Sequence, residues 1–168
     1  MELDLSRGCP TKKCFTATTK IEFRGKSGLS TLNPHKSSEL VLLDRICEQI
    51  KHSGEITDEE LITLSATFGI RVKNAIRALQ RGRIKKYVFK PSKRVVWIVV
   101  GKEKDYQIIP GANFCTCDDF FFRVMSEEIH LCYHIIAQKL AEAIGTYEEF
   151  EEEDYLYETL MREWRKPA

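Results

Sequence analysis

Cys115, Cys117, Cys132 and His134 are the side chains of this chain best suited to hold a soft metal ion. Cys115-Thr116-Cys117 places two thiols one residue apart, and after fourteen intervening residues Cys132-Tyr133-His134 places a thiol and an imidazole one residue apart. Alternate side chains of an extended segment point the same way, so Cys115 and Cys117 are able to face one ion. Three cysteines and one histidine form a ligand set used by closed, tetrahedral structural zinc sites. Closing the loop between the two pairs has a modest entropic cost, because closure entropy grows only slowly with length. His130 is the one rival ligand. A helix starting near it would turn positions 130 and 132 apart, which favours His134 and leaves His130 to orient a ligand from outside.

The four ligands and their pairing resemble the SWIM-type zinc finger, whose pattern is Cys-x-Cys, a variable spacer, then Cys-x-His. Ala137, three residues after the histidine, narrows the likeness. It makes the stretch similar to the SWIM-subunit family of the Shu complex, archaeal forms included, which partners a recombinase paralogue in homologous recombination. The likeness runs from about Leu61 to about Leu140. It takes in Leu61 to Gly69, the run from Arg94 to Val99, and Phe120 and Phe122. The resemblance implies one structural zinc ion, a partner-related role for Ala137, and a heteromer with a RadA-like recombinase paralogue. It also implies single-stranded DNA as a partner, reached directly or through that paralogue. Tyr133 departs from the family, in which lysine is often found at this position, and so removes a positive charge beside the site.

The elements that must position these ligands are readable in outline. Residues 1–36 are rich in Ser, Thr, Lys and Gly, lack a helical period and read as a flexible tail. Cys9 and Cys14 lie in that tail without a matching second pair. Residues 37–82 read as a helical region. Leu40, Leu43, Ile46, Cys47 and Ile50 recur at helical spacing from about Ser38 to about Lys51, with Cys47 on the core side. Thr57 and Glu60 form a capping box for a second helix that should run to Phe68 and stop at Gly69. A third helix, about Arg71 to Gln80, has Val72, Ile76 and Leu79 as its apolar stripe, so Arg71, Lys73, Arg77 and Arg81 are expected to be exposed.

Residues 83–145 read as a small antiparallel sheet, the finger and its helix. Arg83 to Lys90 and Arg94 to Gly101 flank a Pro91-Ser92-Lys93 turn, Tyr106 to Ile109 is a third strand, and Ala112 to Cys117 extends again. Of Phe120, Phe121 and Phe122, some should pack under the metal, and the alternative is one exposed ring that faces a partner or a base, with the core favoured. A fourth helix from about Leu131 to Ile144 carries Cys132 and His134 in its first turn. Residues 146–168 read as an acidic C-terminal helix, about Tyr147 to Trp164. The fold class is therefore α+β: N-terminal helices, a small antiparallel sheet, and a Cys3His finger leading into C-terminal helices.

At 168 residues, 43% of them apolar, the chain has material for one domain with a real core. It has no long uncharged apolar run, and its first residues lack the pattern of a secretory signal. Six cysteines in that setting point to metal in a reducing, intracellular compartment, cytoplasmic in a prokaryote or nuclear in a eukaryote.

The net charge of +1 conceals two blocks. Arg71 to Lys102 holds eleven Lys or Arg and no acid, and Glu148 to Glu153 holds five Glu in six residues. Either the blocks neutralise one another in the fold, or the basic one meets a polyanion. Arg71, Lys73, Arg77, Arg81, Arg83, Lys85 and Lys86 are then candidate phosphate contacts.

No nucleophile motif, phosphate-binding glycine loop or Cys-x-x-Cys redox pair is present, and four protein ligands leave a metal no open position. The expectation is a non-enzymatic, zinc-stabilised accessory protein of recombination and DNA repair. The alternative is a stand-alone zinc finger that grips DNA phosphates through the basic segment.

Overall fold

A computed structural model describes residues 38–102, 104–126 and 131–165. Cys9, Cys14 and His130 lie outside the described residues, as does the tail reading for residues 1–36. Three helices come first: α1 (Ser38–Ser53), α2 (Asp58–Phe68) and α3 (Ile70–Gln80). The capping box at the start of α2 forms as the sequence predicts. Thr57 Oγ1 accepts from the Glu60 amide, and the Glu60 carboxylate accepts from the Thr57 amide at 2.8 Å. Gly69, at a φ of 57°, ends α2 and lets α3 begin one residue later.

Five strands follow in the order β4-β3-β2-β1-β5 across one sheet. They are β1 (Ile84–Lys90), β2 (Arg94–Val100), β3 (Asp105–Ile109), β4 (Phe114–Cys115) and β5 (Glu148–Glu153). Helix α4 (Tyr133–Ile144) precedes β5, and α5 (Tyr157–Trp164) ends the described chain. Helix α4 packs against α1, α3 and the sheet, so the finger's own helix is the pillar of the main core.

The sheet is covered on both faces, which explains why Val96 to Val99 are buried without alternation. Trp97 and Val99 join Ile84 and Ile108 in the core with α1 to α4. Val96 and Ile98 join Phe89, Met161 and Trp164 in a second, smaller core roofed by α5. Successive residues of one strand thus serve two cores, as the two-residue period requires.

Two expectations are corrected. The acidic run is a strand, not the start of a helix, and the sheet is mixed, because β5 runs parallel to β1. In a helix, five glutamates in six residues would repel at i,i+3 and i,i+4. Against β1 they find lysines: Lys85–Glu148 at 3.7 Å, Lys86–Glu149 at 2.8 Å and Lys90–Glu151 at 2.6 Å. Phe150 stacks on Tyr87 with ring centroids 5.1 Å apart. The outer edge of β5 is left strongly acidic, which discourages pairing with a further strand.

Candidate metal centre

The two ligand arms come from the far edge of the sheet and the start of α4. Cys115 ends β4, pairing with Ile108 of β3. Just beyond it, Thr116 and Gln107 exchange hydrogen bonds, the Gln107 amide to Thr116 Oγ1 at 2.9 Å and the Thr116 amide to Gln107 O at 3.1 Å. That clamp fixes Cys117. A π-helical turn, Phe120–Val124, follows. Its first amide, on Phe120, points at Cys117 Sγ at 3.3 Å, a donor suited to a metal-bound thiolate. On the other arm Cys132 is the N-cap of α4 and His134 sits in its first turn. The helix therefore begins one residue beyond Cys132, not before it.

The ligand atoms of Cys115, Cys117, Cys132 and His134 all lie within 4.8 Å of one another. Tetrahedral sulfurs about 2.3 Å from zinc stand about 3.8 Å apart, so the cluster has the dimensions of a single-ion site. All four residues are buried, and both ring nitrogens of His134 lack a hydrogen-bond partner among the described residues. A buried imidazole with no partner is costly unless a nitrogen ligates a metal. Hydrogen bonds from Cys115 and Cys117, with the Ile135 and His134 amides adding to them, draw the Cys132 thiol down to about 4. The same sulfur contacts and burial push Cys115 upward. Three thiolates, a neutral imidazole and Zn²⁺ sum to about one negative charge, which the N-terminal end of α4 favours. The donor set fits one structural zinc ion and leaves no open position for catalysis.

The remaining candidates separate into groups. Ala137 is fully buried, so it packs α4 into the core and offers no surface of its own. Cys47 is a buried core thiol pushed up to about 12 by desolvation. Arg71 is not exposed as its position beside the α3 stripe suggests. Its guanidinium grips Glu39 of α1 through two hydrogen bonds, at 2.8 and 3.0 Å, and donates to Leu131 O at 2.8 Å. Lys85 and Lys86 face glutamates of β5. Lys73 stands exposed on α3 one turn before Arg77 and does not line the concavity described next. Arg77, Arg81 and Arg83 converge on one concavity with Lys102, Tyr106 and Tyr133, three residues that charge counting alone did not join to them. Both tyrosine rings rest on the ligand His134, with centroids 4.2 Å away for Tyr106 and 3.8 Å for Tyr133. Of the three phenylalanines, Phe120 is buried while Phe121 and Phe122 are exposed, so the core takes one and not most of them.

Together the fold and the buried Cys3His cluster define a structural zinc finger of the SWIM type, embedded in an α+β domain. Three comparisons bear on kinship. A zinc finger SWIM domain-containing protein 7 from Homo sapiens is 30% identical over 131 residues, 76% of this chain and 92% of its own length. A homologue of that protein from Dictyostelium discoideum is 28% identical over 135 residues, 77% of this chain and 86% of its own. An uncharacterised protein from Archaeoglobus fulgidus is 34% identical over 85 residues, 51% of this chain and 66% of its own. No protein-family profile matches the chain, and no solved structure does. The chain belongs to the zinc finger SWIM domain-containing protein 7 family.

Proposed function

We propose that this chain is a non-enzymatic accessory protein that docks a RadA-like recombinase paralogue and, in that heteromer, supports homologous recombination and DNA repair on single-stranded DNA. The observation that carries the reading is an apolar patch mounted on the metal centre. Phe121, Phe122 and Met125 are 51%, 74% and 67% exposed on the π-helical turn that hangs from Cys117. Phe114 extends the patch inward, 6.0 Å from Phe121 ring to ring, and pairs across β3–β4 with Ile109, itself 45% exposed. Exposed aromatics gathered on one short turn suit a protein partner, because aromatic anchors dominate interface energetics. A zinc ion held by Cys117 and the other three ligands would fix the start of this turn, which would give a structural metal a purpose in recognition.

The test is affinity recovery from native extract with zinc-loaded chain, after nuclease treatment, beside Phe121→Ser/Phe122→Asp and Cys132→Ser variants. Recovery of a RecA-type ATPase by the parent chain and its loss in both variants would support the reading. Recovery of no such ATPase, or its retention by the phenylalanine variant, would sink it.

A further inference from the structure

Two groups of four stand out among the eleven basic residues of the segment. Arg71, Lys85, Lys86 and Lys90 are neutralised inside the fold by Glu39, Glu148, Glu149 and Glu151. Arg77, Arg81, Arg83 and Lys102 are not. Among the described residues none of them has a carboxylate partner, and Arg77 donates only to the neutral Asn74 Oδ1 at 3.3 Å. These four cations line a single concavity of about 520 Å³, which no acidic side chain among the described residues enters. Arg83 is half-buried there. A guanidinium partly withdrawn from water without a counter-charge is costly, and like charges gathered in a concavity raise that cost. An anion in the basin offsets both.

We propose that this basin binds the sugar-phosphate backbone of single-stranded nucleic acid. Three features select that ligand. Arg77, in the last turn of α3, and Arg81, its C-cap, stand four residues apart at the helix end, so both guanidinium groups are able to reach neighbouring phosphates of one strand. The volume falls within the roughly 300–1,000 Å³ of small-ligand sites, well beyond the size of a lone phosphate. Tyr106 and Tyr133 line the basin beside the guanidinium groups, and rings and guanidinium planes are the surfaces on which unpaired bases stack. An acidic peptide would satisfy the charges, but the lining offers its apolar side chains no aliphatic surface beyond Ala78. Both tyrosines rest on His134, so the basin's wall is built on the metal centre, whereas its cations come from α3, the turn before β1 and the loop after β2.

The basin lies on residues different from the Phe121–Phe122 patch, so it stands or falls independently of partner docking. The experiment is fluorescence anisotropy of zinc-loaded full-length chain with labelled oligothymidylate of about 20 nucleotides, longer than the roughly 4–16-nucleotide sites of common single-strand binders. It is repeated across a salt series, with duplex DNA and polyglutamate as competitors. Arg77→Gln/Arg81→Gln is expected to lower affinity about tenfold or more at low salt and to flatten the log–log salt slope by about 0.7 for each lost contact. Lys85→Gln/Lys86→Gln, from the same basic segment but already paired, should stay within about twofold of the parent. Lys102→Gln, on a loop, gives a second basin variant should the α3 pair lose zinc. Equal loss in the paired and basin variants, or no loss in the basin variants, would overturn the proposal. So would competition by duplex or polyglutamate as strong as that of the single strand.

Discussion

Arg71 donates a hydrogen bond of 2.8 Å to the main-chain carbonyl of Leu131, the residue before the ligand Cys132. The same guanidinium holds Glu39 of α1 through a two-pronged ion pair. One side chain of α3 therefore ties the first helix to the arm that delivers the second half of the metal site. Lysine has a single ammonium and no planar fork, so it cannot make both contacts in this geometry. Arg71→Met is expected to destabilise the fold by about 2–3 kcal/mol, short of the roughly 3–5 for a fully buried pair because both partners keep some contact with water. Urea denaturation of zinc-loaded protein measures this. Arg71→Lys should recover only a minor part of the loss, and a neutral effect of Arg71→Met would show that the clamp carries no stability.

Removal of a zinc ligand should collapse the fold, not merely loosen a loop. Structural zinc sites contribute about 10–16 kcal/mol of apparent binding free energy, against about 5–15 for the net stability of a domain. Cys115, Cys117 and Cys132 are also part of the main hydrophobic core. Cys132→Ser and His134→Ala are expected to lose zinc and cooperative thermal unfolding together. Cys47→Ala, in the same core but away from the cluster, should keep full zinc content. Metal analysis and calorimetry on the three variants separate these outcomes.

The parts of this structure that were legible in the sequence are those that local chemistry decides. Thr57 and Glu60 cap α2 with each other's atoms, and the Cys-x-Cys and Cys-x-His arms each need only their own backbone to aim two ligands together. What distant residues decide was not legible. The glutamates of β5 have good helix propensity, and the run becomes a strand through its parallel pairing with β1, whose lysines and Tyr87 lie far away in the sequence. A stripe through Val72, Ile76 and Leu79 leaves Arg71 on the outside of α3. Ala75 and Ala78 are buried too, and they widen the core-facing side to the face that Arg71 shares. Small side chains carry little weight in a hydrophobic pattern yet mark where helices approach closely. The separation of the basic residues into paired and unpaired sets depends on which strand and helix they meet, which no spacing reveals.

Zinc uptake should release protons and weaken in acid. In the metal-free chain hydrogen bonds from Cys115 and Cys117 draw the Cys132 thiol below the usual thiol range. Hydrogen bonds with Cys117 and Cys132, aided by burial, hold the Cys115 proton in place above the usual thiol range. The metal-bound form must give that proton up and so binds fewer protons than the metal-free form. Lowering the pH therefore favours the metal-free form. Apparent affinity is expected to fall by about one logarithmic unit per pH unit for each proton displaced. Competition against a chromophoric chelator between about pH 8 and about pH 5.5 tests this, since thiolate ligands must be deprotonated to bind. An affinity that does not change over that range would contradict the assignment of thiolate ligands.

The lysine–glutamate ladder between β1 and β5 should behave as a pairing code. Lys86 donates to Glu149 at 2.8 Å, and that hydrogen bond raises the lysine above its ordinary value of 10.5. A raised lysine contributes its stability fully below its unfolded value and loses it as pH climbs through the folded one, so the lysine's share of the ladder is lost in strong alkali. Lys86→Glu places like charges beside one another across a parallel pair and is expected to destabilise by about 1 kcal/mol, the upper end for partly exposed pairs. Glu149→Lys should cost a similar amount. The double exchange, Lys86→Glu with Glu149→Lys, should recover most of the loss, because it restores opposite charges at the same register. A double-mutant cycle in urea at low salt measures the coupling. If the double exchange is as unstable as the sum of the two single changes, the acidic strand is held by Phe150 on Tyr87 and the backbone ladder, and not by its charges.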